Sequence, residues 1–171
     1  MENILEFAMK MEMDGKRFYE QGAEKTDDER MKKILHTLAE EEQRHFDVFR
    51  KLRDKNDLAE ASKALGPRLT TSPAIKNVFQ ELVENGMETL PGDDLKNMWT
   101  EAIRIEEDSE KLYREQAGRE TDEKRQALLN RIADEEKSHI YLIDNMIHYL
   151  ADPQGFALSQ QFAQFKSWEG R

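Results

Sequence analysis

The sequence predicts an all-α fold: a four-helix bundle of two repeated helix hairpins joined by a long crossover, plus a short C-terminal tail or helix. Three observations predict it. Apolar residues recur at helical spacing rather than sparsely. Helix breakers are few, with eight glycines and four prolines in 171 residues. The chain also matches itself without a gap when slid by 94 positions, and internal repetition of this kind is decisive for architecture. A composition 36% charged and 37% hydrophobic suits amphipathic helices with charged outer faces, and the length suits one domain, 1–171.

The elements follow in order. The first hairpin (2–55) pairs a helix of about 2–25 with one of about 27–55, and Thr26 with Glu29 offers a capping box between them. The crossover (56–93) holds three of the four prolines. Within it Ser72-Pro73 opens a short amphipathic helix carrying Ile75, Val78, Phe79 and Leu82, which Gly86 ends. A connection this long lets the second hairpin start at the end where the first did. The second hairpin (94–150) has Gly118 as a helix stop and Thr121 or Asp122 as the next cap. The tail (151–171) is expected to dock, since Phe156, Phe162, Phe165 and Trp168 are many aromatics to leave in water.

The repeat aligns "AMKMEMDGKRFYEQGA" (8–23) with "AIRIEEDSEKLYREQA" (102–117), and "LAEEEQRHF" (38–46) with "IADEEKSHI" (132–140). Written as inward seams, the four helices read Leu5, Ala8, Glu12, Gly15, Tyr19; then Met31, Leu35, Leu38, Glu42, His45, Phe49, Leu52; then Trp99, Ala102, Glu106, Ser109, Tyr113; then Leu129, Ile132, Glu136, His139, Ile143, Met146, Leu150. A glutamate interrupts every seam. Glu12 and Glu42 lie equally far from the first turn, Glu106 and Glu136 equally far from the second, each ~22 Å away at 1.5 Å per residue. Four carboxylates and the imidazoles of His45 and His139 should therefore meet in one layer. Burying four ionised carboxylates together costs several kcal/mol each; two divalent cations would offset their charge. The donors suit iron or manganese and could hold zinc. Glu40, Glu41, Asp134, Glu135 and Glu107 fall off the seams and are read as surface charge, and His36 and His148 as ordinary histidines.

Other classes are disfavoured. A net charge of −10 argues against nucleic acid and anionic membranes, and no apolar run approaches the ~20 residues of a membrane span. The start "MENILEFAMK" has no basic n-region or long apolar core, so a cytoplasmic protein is expected. The absence of cysteine excludes thiolate metal sites and a thiol nucleophile in this chain.

A Glu from each of two helices with Glu-x-x-His from the other two resembles the ferritin-like superfamily, and within it the rubrerythrin-type di-iron proteins. The resemblance covers both hairpins. It implies two iron ions on Glu12, Glu42, His45, Glu106, Glu136 and His139, with Tyr19 and Tyr113 either hydrogen-bonding ligand carboxylates or simply packing. It further implies an oxidoreductase that meets oxidative stress by reducing hydrogen peroxide or dioxygen, and a homodimer. Two departures shape the expectation. Typical members append a cysteine-rich rubredoxin domain; this chain has no cysteine, so a separate donor protein of rubredoxin type is expected. Ser109 stands where peroxidase-type members carry a further glutamate, which leaves a ferroxidase or iron-handling role as the alternative. A helical interaction module with a structural metal is the non-enzymatic one. Gly15 and Ser109 either leave room for a small oxidant or allow close helix packing.

Overall fold

The computed structural model describes residues 3–69, 72–87 and 91–158. These form seven helices: α1 (Ile4–Ala23), α2 (Glu29–Lys55), α3 (Leu58–Leu65), α4 (Pro73–Asn85), α5 (Asp93–Arg119), α6 (Glu123–Ala151) and α7 (Pro153–Leu158). No strand occurs among the described residues, and none of their helices is long and apolar enough to cross a membrane. The architecture is the all-α ferritin-like bundle: α1 packs along α2, α5 along α6, and the crossover helices α3 and α4 lie against α2.

The four long helices start and stop within two residues of the expected bounds, but two of the expected signals act differently. Asp28, not Thr26, caps α2: its Oδ1 accepts from the backbone N–H of Arg30 at 2.9 Å and Met31 at 3.2 Å. Thr26 sits two residues too early, and its hydroxyl accepts from the Asp28 N–H instead. Asp122, 94 positions on, repeats the Asp28 cap on Lys124 and Arg125. Gly118 does not stop its helix; α5 runs through it to Arg119, and its φ is not in the positive region where glycine ends helices. Gly86 does end α4, at φ +63°. The crossover contains one helix more than expected: Asp57 caps α3 through the Glu60 N–H, and Gly66 ends it at φ +66°. In the tail, α7 seats Phe156 against Phe79 and edge-on to Tyr149. Phe162, Phe165 and Trp168 lie outside the described residues.

The core is two apolar slabs with a polar layer between them. One slab gathers Tyr19, Leu35, Leu38, Trp99, Ile143 and Met146, with α4 and α7 over it. The other gathers Ala8, Phe49, Leu52, Tyr113 and Ile132, with Leu65 of α3 over it. Each fully buried aliphatic side chain contributes roughly 1.5–3 kcal/mol. The slabs thereby offset the cost of enclosing charged groups between them.

Candidate metal centre

All six seam glutamates and histidines converge in that layer. Glu12, Glu42, Glu106 and Glu136 are buried, and both rings are fully so. The His45 and His139 rings stack with centroids 5.7 Å apart and planes 20° from parallel. Nδ1 of His45 faces Glu12 at 3.4 Å and Glu136 at 3.2 Å. Nδ1 of His139 faces Glu42 and Glu106 at 3.3 Å and Glu136 at 3.2 Å. Two overlapping donor groups result: Glu12, Glu42, His45, Glu136, and Glu42, Glu106, Glu136, His139. Glu42 and Glu136 belong to both, and Glu136 turns one oxygen to each ring.

This donor set fits a pair of cations. Glu12 Oε2, Glu42 Oε1, both oxygens of Glu136, and His45 Nδ1 are buried without a hydrogen-bond partner among the described residues. Nε2 of His45 lies 3.1 Å from Glu135 Oε2. If Nε2 carries the proton, the Nδ1 lone pair confronts carboxylate lone pairs, an arrangement that an added proton or a metal cation between them relieves. Five donor atoms left orphaned in one layer would otherwise cost about 1–3 kcal/mol each.

Two tyrosines pin the outer carboxylates. The Tyr19 hydroxyl donates to Glu106 Oε1 and the Tyr113 hydroxyl to Glu12 Oε1, each reaching the other hairpin. Burial, followed by the Glu106 charge for Tyr19 and the Glu12 charge for Tyr113, pushes both phenols well above their ordinary pKa, so they remain donors. Electrostatics within the layer is uneven. Burial and then the neighbouring carboxylates raise Glu42 well above the usual range and Glu136 to about 7. Burial would raise Glu106 too, but the charge and hydrogen bond of His139 hold it low.

Glu41 and Glu135 are not surface charge. They are 2% and 1% exposed, while Glu40 and Glu107 are exposed as expected and Asp134 is half-buried. The reason is the crossover: it covers α2 and reaches α6, so each buries a second row of side chains beside its seam. Those rows are legible as seven-residue spacings, Ile34, Glu41, Val48 and Leu128, Glu135, Leu142, Tyr149. His36 and His148 stay exposed.

Gly15 has a defined steric role. A Cβ there would stand 2.8 Å from Glu42 Oε2, so the missing side chain makes room for a shared carboxylate. Gly15→Ala should lower metal affinity at both positions by displacing Glu42. It should leave the metal-free protein as stable or better, since alanine favours a helix interior by about 0.8–1 kcal/mol over glycine. Metal titration alongside thermal melting checks both signs; a variant with wild-type affinity would show that Glu42 has slack.

The sequence model of the family described as Rubrerythrin matches residues 3–147. Searches of curated proteins and of solved structures each return no match.

Proposed function

Because the chain belongs to the rubrerythrin family, whose members are ferritin-like di-iron carboxylate proteins, we propose that it is a di-iron oxidoreductase. It reduces hydrogen peroxide or dioxygen with electrons from a separate, rubredoxin-type donor protein, in the cytoplasm and as a homodimer. The observation that carries this reading is the pair of buried donor groups sharing Glu42 and Glu136.

In this reading Glu12 with His45, and Glu106 with His139, would hold the two ions, with Glu42 and Glu136 available to both. Iron suits the mixed carboxylate and imidazole set, as manganese does, and zinc could be held. Two iron(II) ions bound there would supply the electron pair that converts hydrogen peroxide and two protons into two waters. The remaining work belongs to the protein. Tyr19 and Tyr113 each occupy one oxygen of an outer carboxylate and leave the other for metal. The apolar slabs keep bulk water from the layer, which strengthens every charge interaction inside it. The four carboxylates favour the more highly charged oxidised state.

Ser109, 6% exposed and one turn from Glu106, supports a second reading. It supplies no carboxylate where peroxidase-type members carry one, so iron oxidation for storage or delivery is the alternative.

The test is anaerobic loading with two Fe²⁺ per chain, followed by stopped-flow mixing with hydrogen peroxide or with dioxygen. Oxidation by peroxide should far outpace that of free Fe²⁺; a rate no faster than free iron refutes the reading. Faster oxidation by dioxygen than by peroxide, in a particle large enough to be a cage by gel filtration, would favour iron handling. Elemental analysis of protein purified without added metal identifies the resident ion.

A further inference from the structure

The 94-residue repeat makes the two metal positions look equivalent, yet the groups behind the two histidines differ. Behind His45, Glu135 Oε2 stands 3.1 Å from Nε2. Glu135 is itself braced: Arg131 Nε donates to its Oε1 at 3.2 Å, and the same guanidinium donates to the Gly66 carbonyl at 2.6 Å. Gly66 lies in the crossover at φ +66°, a conformation that favours glycine. A chain of contacts thus runs from the crossover through Arg131 and Glu135 to the His45 ring.

Behind His139 the corresponding carboxylate, Glu41, is buried and close enough for the ring's charge to act on it, but no hydrogen bond joins the two. Its Oε1 takes the Arg44 guanidinium, while Glu41 Oε2 and His139 Nε2 both lack a hydrogen-bond partner among the described residues. The sequence explains the difference. Arg131 lies one turn before Glu135, and its repeat counterpart is Thr37, whose hydroxyl bonds the Lys33 carbonyl. Arg44 lies one turn after Glu41, and its counterpart is Ser138, whose hydroxyl bonds the Asp134 carbonyl. The two halves keep the glutamate and exchange the side from which arginine approaches it.

We propose that Glu135, braced by Arg131 and the Gly66 carbonyl, is a positioning residue that makes the two metal positions unequal. The ring of His45 is held with its tautomer fixed, and the ring of His139 is not. The position served by Glu12 and His45 fills first and holds its ion; the position served by Glu106 and His139 fills second and exchanges. A hydrogen-bonded carboxylate behind a ligating imidazole fixes ring orientation and raises ligand basicity, and its loss typically lowers metal affinity about 10–100-fold. This inference rests on the reading that the six residues hold two metal ions.

The experiment is calorimetric titration of the full chain with Mn²⁺, which suits the donors and is stable in air on that timescale. Wild type should bind two ions in two steps separated by roughly 10-fold or more, the difference one such contact makes. Glu135→Leu should weaken the tight step by about 10–100-fold and leave the weak one, so that the steps merge. Arg131→Met keeps the carboxylate and removes only its brace at a partly exposed position, which guards against a folding failure; it should weaken the tight step in the same direction. Glu41→Leu should leave both steps within about 2-fold, far below the loss expected for a lost contact of this kind. In the Co²⁺-loaded protein, one paramagnetically shifted imidazole N–H should exchange slowly with solvent, and Glu135→Leu should remove it. Two equal steps in wild type, or an equal loss in Glu41→Leu and Glu135→Leu, overturn the proposal. No Mn²⁺ binding at all overturns the metal reading beneath it.

Discussion

Glu136→Gln is expected to abolish metal binding at both positions while making the metal-free protein more stable. Each half of the centre depends on Glu136, which turns one oxygen toward His45 and the other toward His139. Glutamine keeps the shape and loses the charge that offsets two cations. Without metal that charge is a burden. Burial and the Glu12 and Glu106 carboxylates raise Glu136 from 4.5 to about 7, although the His45 charge opposes them. At about 1.4 kcal/mol per pH unit, an ionised Glu136 at pH 8 costs the metal-free protein roughly 3 kcal/mol. Removing that cost should raise its melting temperature by roughly 5–10 °C for a chain of this size. Glu12→Gln makes the contrast, because Glu12 belongs to one donor group only and its loss should spare the other. Melting curves with and without chelator, beside a metal titration, read both effects. A Glu136→Gln protein that still binds two ions, or that melts lower than wild type without metal, would contradict the shared-carboxylate geometry.

The second large effect is an inverted pH dependence. In the metal-free protein, burial pulls His45 and His139 down, but the surrounding carboxylates, Glu136 foremost for His45 and Glu106 foremost for His139, hold both well above 6.5. Glu42 and Glu136 are raised as well. All four groups gain proton affinity on folding. Their stabilisation is therefore fully present below the ordinary values, 4.5 for glutamate and 6.5 for histidine, and is lost as pH rises through the folded ones, about 7 for Glu136. Glu106 alone among these has the opposite sign: it is lowered, so its contribution is present above 4.5 and lost in acid. The balance predicts a metal-free melting temperature that falls between pH 5 and pH 8.5. Loading replaces those protons with cations, so binding should release about two or more protons per pair of ions and tighten as pH rises. Calorimetry in buffers of different ionisation enthalpy counts the protons. The gap between loaded and metal-free melting temperatures should be widest at alkaline pH; a gap that is constant from pH 5 to pH 8.5 would show that the layer does not hold those protons.

Most of the site was legible because its signal is local. A seam is a periodicity along one helix, and a 94-residue repeat doubles it, so Glu12, Glu42, His45, Glu106, Glu136 and His139 could be placed in one layer by counting. Turn signals were less secure. Thr26 and Asp28 are both acceptable caps in isolation, and the side chain that wins is the one whose oxygen reaches the second and third helical N–H groups. Gly118 reads as a stop from sequence, yet nothing in its surroundings requires a positive φ there.

The sequence by itself determined the helical class, the two hairpins, the long crossover and the six polar residues that interrupt the seams. Only the tertiary structure decided what lies behind them: which tyrosine donates to which glutamate across the hairpins, that Gly15 makes room for Glu42, and that Glu41 and Glu135 are buried. Periodicity tells a helix which of its faces is apolar. Whether a second face is covered depends on another segment, here the crossover against α2 and α6, and that segment's path is set by packing across the whole bundle.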